Sequence, residues 1–335
     1  MKKYKVGILG ATGCVGREMM KVLAEYNFPV EELRLLASAR SAGKKVQFQG
    51  QEITIQEATD DSFNGLDFVL GAVSNKLSQK FAPAIKASGA KYIDNSNAFR
   101  LYPDVPLVVP EVNGNDALED SWIISNPNCS TIITVVAVSP IAKISPIESM
   151  IACTYQAVSG AGQGGLEELT DQMSALAENR PIVCKTFPTQ IALNVIPHIG
   201  SILDNVYTTE EMKMQNEGRK ILHLPDMKVT CTCVRVPVMR SHSIAVTLRT
   251  KEKVTVEQAK EAIRNVPGCR LIEDYEGRDY PTPLDTSDQD LVWVGRIRED
   301  LTDDHGLTLW CCGDQIRKGA ASNAVQIMQI ITNNK

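Results

Sequence analysis

Tyr4-Lys-Val-Gly-Ile-Leu9, then Gly10-Ala-Thr-Gly13-Cys-Val-Gly16, then Arg17-Glu-Met-Met-Lys-Val-Leu-Ala-Glu-Tyr26 form the stretch on which the fold turns. The first six residues are a short, mainly apolar run, and Val15, Met19, Val22, Leu23 and Tyr26 recur at helical spacing. The order is therefore strand, glycine-rich turn, helix. Glycines in such a turn permit tight backbone and let N–H groups approach a pyrophosphate at a helix N-terminus. The spacing is G-x-x-G-x-x-G rather than G-x-G-x-x-G, a variant that suits NADP. Gly10, Thr12, Gly13, Cys14, Val15 and Gly16 are accordingly candidate cofactor contacts.

Working outward, LRLLAS (33 to 38) reads as a second strand, VQFQGQEITI as a hairpin with Gly50 in its turn, and DFVLGAV (67 to 73) as a buried strand. KLSQKFAPAIKASG looks helical and stops at Gly89, and KYIDNS follows as the next strand. Alternating strands and helices predict an α/β, Rossmann-type parallel sheet with helices on both faces. After the second strand an NAD-selective protein would place an acidic residue for the ribose, but this chain has Ser38-Ala-Arg40-Ser41. Ser38, Arg40 and Ser41 suit the 2′-phosphate of NADP.

The pattern changes near residue 129. SMIACTYQAVSG, KVTCTCVRVPVMRSHSIAVTLRT, LVWVGRIRED and HGLTLWCCGD alternate, and predict a second α+β domain with a mixed or antiparallel sheet. Helices are expected at about 164–178, 209–222 and 255–266. The expected division is residues 1–128 for the dinucleotide-binding domain and 129–315 for the second. A closing helix at about 316–335 returns to the first.

A chain of 335 residues is long enough for two such cores. A net charge of −5 argues against a nucleic-acid partner. The basic, then apolar opening is broken by Gly10, Thr12 and Gly13 rather than by a cleavage pattern, and no run of 18 apolar residues occurs. No membrane association is expected. Nine scattered cysteines in a chain this large fit a reducing compartment, so the expected location is the cytoplasm. Cys231-x-Cys233 has no second Cys/His pair at zinc spacing, and alternation puts both thiols on one strand face; no metal is expected.

Cys129 follows Asn126-Pro127-Asn128 and begins an apolar, helix-like run, which sets its sulfur near unpaired N–H groups and the positive end of a helix dipole. That setting favours a reactive thiolate. A thiolate that attacks an aldehyde gives a thiohemiacetal, loss of hydride gives a thioester, and an acyl acceptor releases the product.

Four segments then carry a resemblance: Gly10 to Gly16, Ser125-Asn-Pro-Asn-Cys129, Gln156 with Val158-Ser-Gly-Ala-Gly162, and Arg235-x-x-x-x-Arg240-x-His242. In this order and spread over most of the chain, they resemble the aspartate-semialdehyde dehydrogenases. The resemblance implies that Cys129 carries the acyl group, that Gln156 positions substrate and that His242 is the general acid/base. It further implies that Arg235 clamps the substrate carboxylate, with Glu217 for its ammonium and Asn128 beside it, and that Arg100 and Lys220 hold inorganic phosphate. Ser159, Gly160 and Gln315 look like cofactor contacts, while Arg219 and Arg240 stay open as further cations near the anion sites. Implied reactants are aspartate semialdehyde, aspartyl phosphate and phosphate, with NADP as cofactor, in the route to lysine, methionine, threonine and diaminopimelate. The implied assembly is a homodimer through the second-domain sheet, or a tetramer. N-acetyl-γ-glutamyl-phosphate reductases share the plan but read Asn-Pro-Gly-Cys before the nucleophile. A scaffold without activity would be expected to lack Cys129 or His242.

Overall fold

The computed structural model describes residues 2–333. The chain forms two compact units, one running to Asn128 and resuming at Ala320, the other spanning Cys129–Gly319.

In the first unit the strands are β1 (Tyr4–Leu9), β2 (Val30–Ala37), β3 (Lys45–Phe48), β4 (Gln51–Thr54), β5 (Gln56–Glu57), β6 (Phe68–Gly71), β7 (Lys91–Asp94) and β8 (Ile123–Ser125). Six of them make a wholly parallel sheet in the order β5-β2-β1-β6-β7-β8, and β3 pairs with β4 as a separate hairpin. Val6, Ile8, Leu35, Leu70 and Ile93 have no exposure, as expected of a parallel sheet covered on both faces. The helix Cys14–Glu25 buries Met19, Val22 and Leu23, and the helix Asn75–Ser88 stops at Gly89, whose φ of 78° is the left-handed stop that its sequence position suggested.

The closing segment differs from expectation. Instead of one helix from about 316, Arg317–Ala321 form a π-helical turn and the α-helix covers Ser322–Asn333. Ala324, Val325, Ile327, Met328 and Ile331 join the core of the first unit, and Asn323 donates to the Asn126 side chain (2.7 Å) and the Val108 carbonyl (2.9 Å). Residues 334 and 335 of that expected helix lie outside the described residues.

The second unit carries β9 (Ile147–Gln156), β10 (Lys228–Arg235), β11 (His242–Thr250), β12 (Cys269–Leu271), β13 (Val292–Glu299) and β14 (Gly306–Gly313), in the order β10-β9-β11-β14-β13-β12. The sheet is mixed: β9 runs parallel to β10 and antiparallel to β11. Helices Cys129–Ile144, Gln163–Ala177, Thr209–Ile221 and Val256–Arg264 belong to this unit. The first is buried without interruption from Ser130 to Ile141, which its all-round apolar sequence requires. Along β9 burial alternates, leaving Ile151 and Tyr155 exposed on the outer face, where Tyr155 meets the Trp310 ring at 5.5 Å.

Candidate functional site

Strands β9 and β10 end at the same edge, and their register sets Arg235 beside Gln156. Residues 236–241 then arch over the end of β9: the Val236 N–H reaches the Gln156 carbonyl (3.0 Å), and the Val158 N–H reaches Val238 (2.8 Å). Strand β11 starts at His242 and runs back along the other side of β9 with Ser243 opposite Tyr155, so His242 stands level with Gln156. Arg235 and His242 therefore do not share one strand, as the continuous alternation suggested; they lie on two strands separated by β9. The break has a local cause. Pro237 cannot donate to a ladder, and Ser241 takes a left-handed φ of 74°. The buried Ser241 is held there by its N–H donating to Gln315 Oε1 (2.8 Å) and by Oγ bonding Thr286 Oγ1 (2.7 Å).

Cys129 is the first residue of its helix, and its Sγ lies 3.4 Å from His242 Nε2. The Ala157 N–H approaches His242 Nδ1 at 3.1 Å. A backbone N–H only donates, so Nδ1 offers its lone pair and the neutral ring carries its proton on Nε2, facing the sulfur. Burial, followed by the Arg235 guanidinium, pushes the imidazole down to about 3, against opposing effects of Glu210 and the Ser241 backbone. The ring is neutral near pH 7. Gly319 packs directly behind Cys129, since a Cβ there would lie 2.8 Å from that of Cys129.

Arg235 is buried, and its Nη1 donates to the Ala157 carbonyl at 2.6 Å. Burial lowers its pKa while Glu210, Cys129 and Cys233 oppose, and guanidinium remains a cation. Gly160 sits against both functional groups: a Cβ there would come within 2.7 Å of Arg235 Nη1 and 3.4 Å of the His242 ring. Gln156 Nε2 donates to Thr154 Oγ1 (3.2 Å) and Glu210 Oε1 (3.3 Å). Sequence reasoning missed Glu210. Its signal was faint, one of two adjacent acids after a threonine cap, and only the fold decides which of the two faces inward.

The other expected residues fall as follows. Glu217 is buried seven residues beyond Glu210, on the same face of the helix Thr209–Ile221, and Lys220 is half-buried one turn later. Arg219 donates from Nε to the Met227 carbonyl (2.5 Å). Arg240 is not on a strand; it is ion-paired with Asp314 (2.6 Å) and Asp288 (2.9 Å). Gln315 bonds Ser159 Oγ through Nε2 while accepting from Ser241, so it ties the segment after β9 to the arch. Cys231 and Cys233 are buried on one strand face with sulfurs 3.7 Å apart. Among the described residues no cluster of three or more His, Cys, Asp or Glu is arranged to hold a metal.

In the first unit, Gly10 has φ 92°, and a Cβ on it would strike the Ala72 carbonyl oxygen at 2.3 Å. The helix that follows begins after Gly13 with no side-chain cap. A cavity of about 320 Å³ beside this turn is lined by Gly10, Thr12, Ser38, Ala39 and Lys80, among others. Arg40 is exposed and Ser41 buried, and neither lines the cavity. Gly10, Thr12, Ser38 and Lys80 on the cavity wall fit a phosphate-bearing dinucleotide. Asn128 and Arg100 are buried in this unit, Arg100 with Nε on the Asn126 carbonyl (2.9 Å) and Nη2 on that of Asn95 (2.7 Å).

A parallel-sheet unit with a glycine turn, joined to a mixed-sheet unit that pairs a cysteine with a histidine, defines a two-domain dehydrogenase acting on an aldehyde. Residues 5–120 match the family model of the semialdehyde dehydrogenase NAD-binding domain, and residues 138–318 that of the semialdehyde dehydrogenase dimerisation domain. The chain is 47% identical over 327 residues to the aspartate-semialdehyde dehydrogenase of Synechocystis, covering 98% of this chain and 97% of that protein. The crystal structure of aspartate semialdehyde dehydrogenase II of Vibrio cholerae complexed with ASA is 42% identical and superposes with a TM-score of 0.95, covering 100% of this chain and 99% of that one. The Candida albicans enzyme with NADP, at 27% identity and 99% coverage of both chains, gives 0.76. The chain belongs to the aspartate-semialdehyde dehydrogenase family.

Proposed function

We propose that this protein interconverts L-aspartate 4-semialdehyde and 4-phospho-L-aspartate with NADP and inorganic phosphate, through an acyl group carried on Cys129. The observation that carries this reading is the 3.4 Å approach of Cys129 Sγ to His242 Nε2 beside a buried guanidinium. In the oxidative direction the thiolate attacks the aldehyde carbon. His242 donates its Nε2–H to the oxyanion that forms on the aldehyde oxygen and so holds it until hydride leaves and the thiohemiacetal becomes a thioester. NADP, when bound, supplies the hydride acceptor. Phosphate then attacks the thioester carbonyl and the thiolate leaves.

Arg235 is assigned the substrate carboxylate, for which a planar guanidinium is the natural partner, with Gln156 and Asn128 orienting the molecule and Glu217 taking the ammonium. Arg100 and Lys220 are assigned the phosphate. The turn Gly10 to Gly16 with Ser38, Arg40 and Ser41 is assigned NADP, and Lys80 on the cavity wall adds a cation there. Ser159, Gly160 and Gln315 are assigned its nicotinamide side.

The outer face of the second sheet, with Ile151, Tyr155 and Trp310, is assigned the homodimer contact, in keeping with the dimerisation domain that this unit matches. The reaction belongs to the cytoplasmic branch that makes the aspartate-derived amino acids. The test is NADPH formation from aspartate semialdehyde with and without phosphate, alongside N-acetylglutamate semialdehyde. Phosphate-dependent turnover of the first substrate alone is expected, and preference for the second would overturn the reading.

A further inference from the structure

Glu210 stands in the first turn of the helix Thr209–Ile221, where an acidic residue would ordinarily serve the helix end. That task is already done by its neighbour. Thr208 Oγ1 accepts from the Glu211 N–H (3.3 Å), and the Glu211 carboxylate accepts from the Thr208 N–H (2.7 Å) and the Cys233 N–H (3.1 Å). Glu210 is instead 8% exposed, and a buried carboxylate requires donors. Two of them are Lys213 Nζ at 2.9 Å and Gln156 Nε2 at 3.3 Å.

The second bond has a chemical consequence. A carboxylate only accepts, so it fixes which end of the Gln156 amide turns toward it. With Nε2 held by Glu210 and by Thr154 Oγ1 (3.2 Å), the amide oxygen is the end left for a bound molecule. Gln156 stands level with Arg235 and His242, so its orientation bears directly on the reacting groups.

We propose that Glu210 is a positioning residue that locks the Gln156 amide and thereby presents its oxygen, as an acceptor, to the semialdehyde. This rests on the reading of Gln156 as a substrate contact. The role is distinct from that of Glu217, because seven residues of helix separate the two carboxylates by about 10 Å along the axis.

The experiment is a double-mutant cycle on kcat/KM for the semialdehyde, run with Glu210→Ala, Gln156→Ala and the pair, with melting temperature and NADP binding measured on each. Glu210→Ala should lower kcat/KM by about 10-fold in the native background and by less than about 2-fold once Gln156 is Ala. Glu210→Gln should recover most of the loss, since its amide oxygen still accepts from Nε2. If Glu210→Ala does not fold, Glu210→Met, which keeps the volume without the acceptor, replaces it in the cycle. Multiplicative losses in the double variant would overturn the proposal, as would a Glu210→Gln variant no better than Glu210→Ala. A Gln156→Ala variant with native kcat/KM would remove the assignment of Gln156 and this inference with it, whereas an impaired one with multiplicative losses removes the inference alone.

Discussion

Around the sulfur of Cys129, distances are short enough that single atoms decide the outcome. Gly160 leaves room for both Arg235 Nη1 and the His242 ring, and a methyl group would stand 2.7 Å from the first. Gly160→Ala should therefore displace the guanidinium and lower kcat/KM by about 10- to 100-fold with little change in melting temperature. Native kinetics in that variant would show that Arg235 has slack. For the cofactor, Arg40→Ala should weaken NADP binding by about 1.5 to 3 kcal/mol, the value of a charge-assisted hydrogen bond, and leave NAD almost unchanged. Titration with both cofactors checks this, and equal losses would assign the 2′-phosphate elsewhere. The local settings of the candidate residues were legible one by one: Cys129 at a helix start, and the Gly10 turn between a strand and a helix. Glu210 was not, because Glu210 and Glu211 look alike in a sequence and differ only in which one the cap consumes.

Among the elements, periodicity found the first sheet, a second sheet that it left as mixed or antiparallel and that is mixed, and the helices near 164–178, 209–222 and 255–266, these helices each to within two residues of the observed ends. It failed at the run from 228 to 250. Strand pairing is a long-range choice that alternation does not encode, so the insertion of β9 between β10 and β11 had no signature beyond Pro237. The π-helical turn at Arg317–Ala321 escaped for a similar reason, since its residues are ordinary helix formers apart from Gly319, which is set against Cys129. The helix bearing Glu210 and Glu217 starts at a capping box whose Thr208 hydroxyl accepts from Glu211. Thr208→Ala should cost about 1 kcal/mol of stability and raise KM for the semialdehyde more than it lowers kcat. Urea unfolding and steady-state kinetics together check it, and a stability loss with no change in KM would detach this helix from substrate binding.

Taken whole, the chain buries a neutral histidine beside Cys129, and that choice is written into its response to acid. His242 is held at about 3 when folded, against an ordinary value near 6.5. Between those values the unfolded chain binds the extra proton, so stability is fully present above about 6.5 and is lost as pH falls toward 3. The loss between pH 7 and pH 5 is about 2 kcal/mol. Unfolding of the native protein and of His242→Asn at pH 7, 6 and 5 should show a shallower decline in the variant, and parallel curves would mean that the folded ring takes up its proton over the same pH range as the unfolded chain.

A thioester on Cys129 requires hydride to leave before phosphate arrives, so the decisive measurement is rapid mixing of enzyme with semialdehyde and NADP in phosphate-free buffer, with NADPH formation followed. A burst approaching one NADPH per chain is expected, with steady turnover only after phosphate is added, and neither in Cys129→Ala with NADP binding retained. Turnover in phosphate with no preceding burst, or a burst that survives in Cys129→Ala, would contradict a thioester on Cys129.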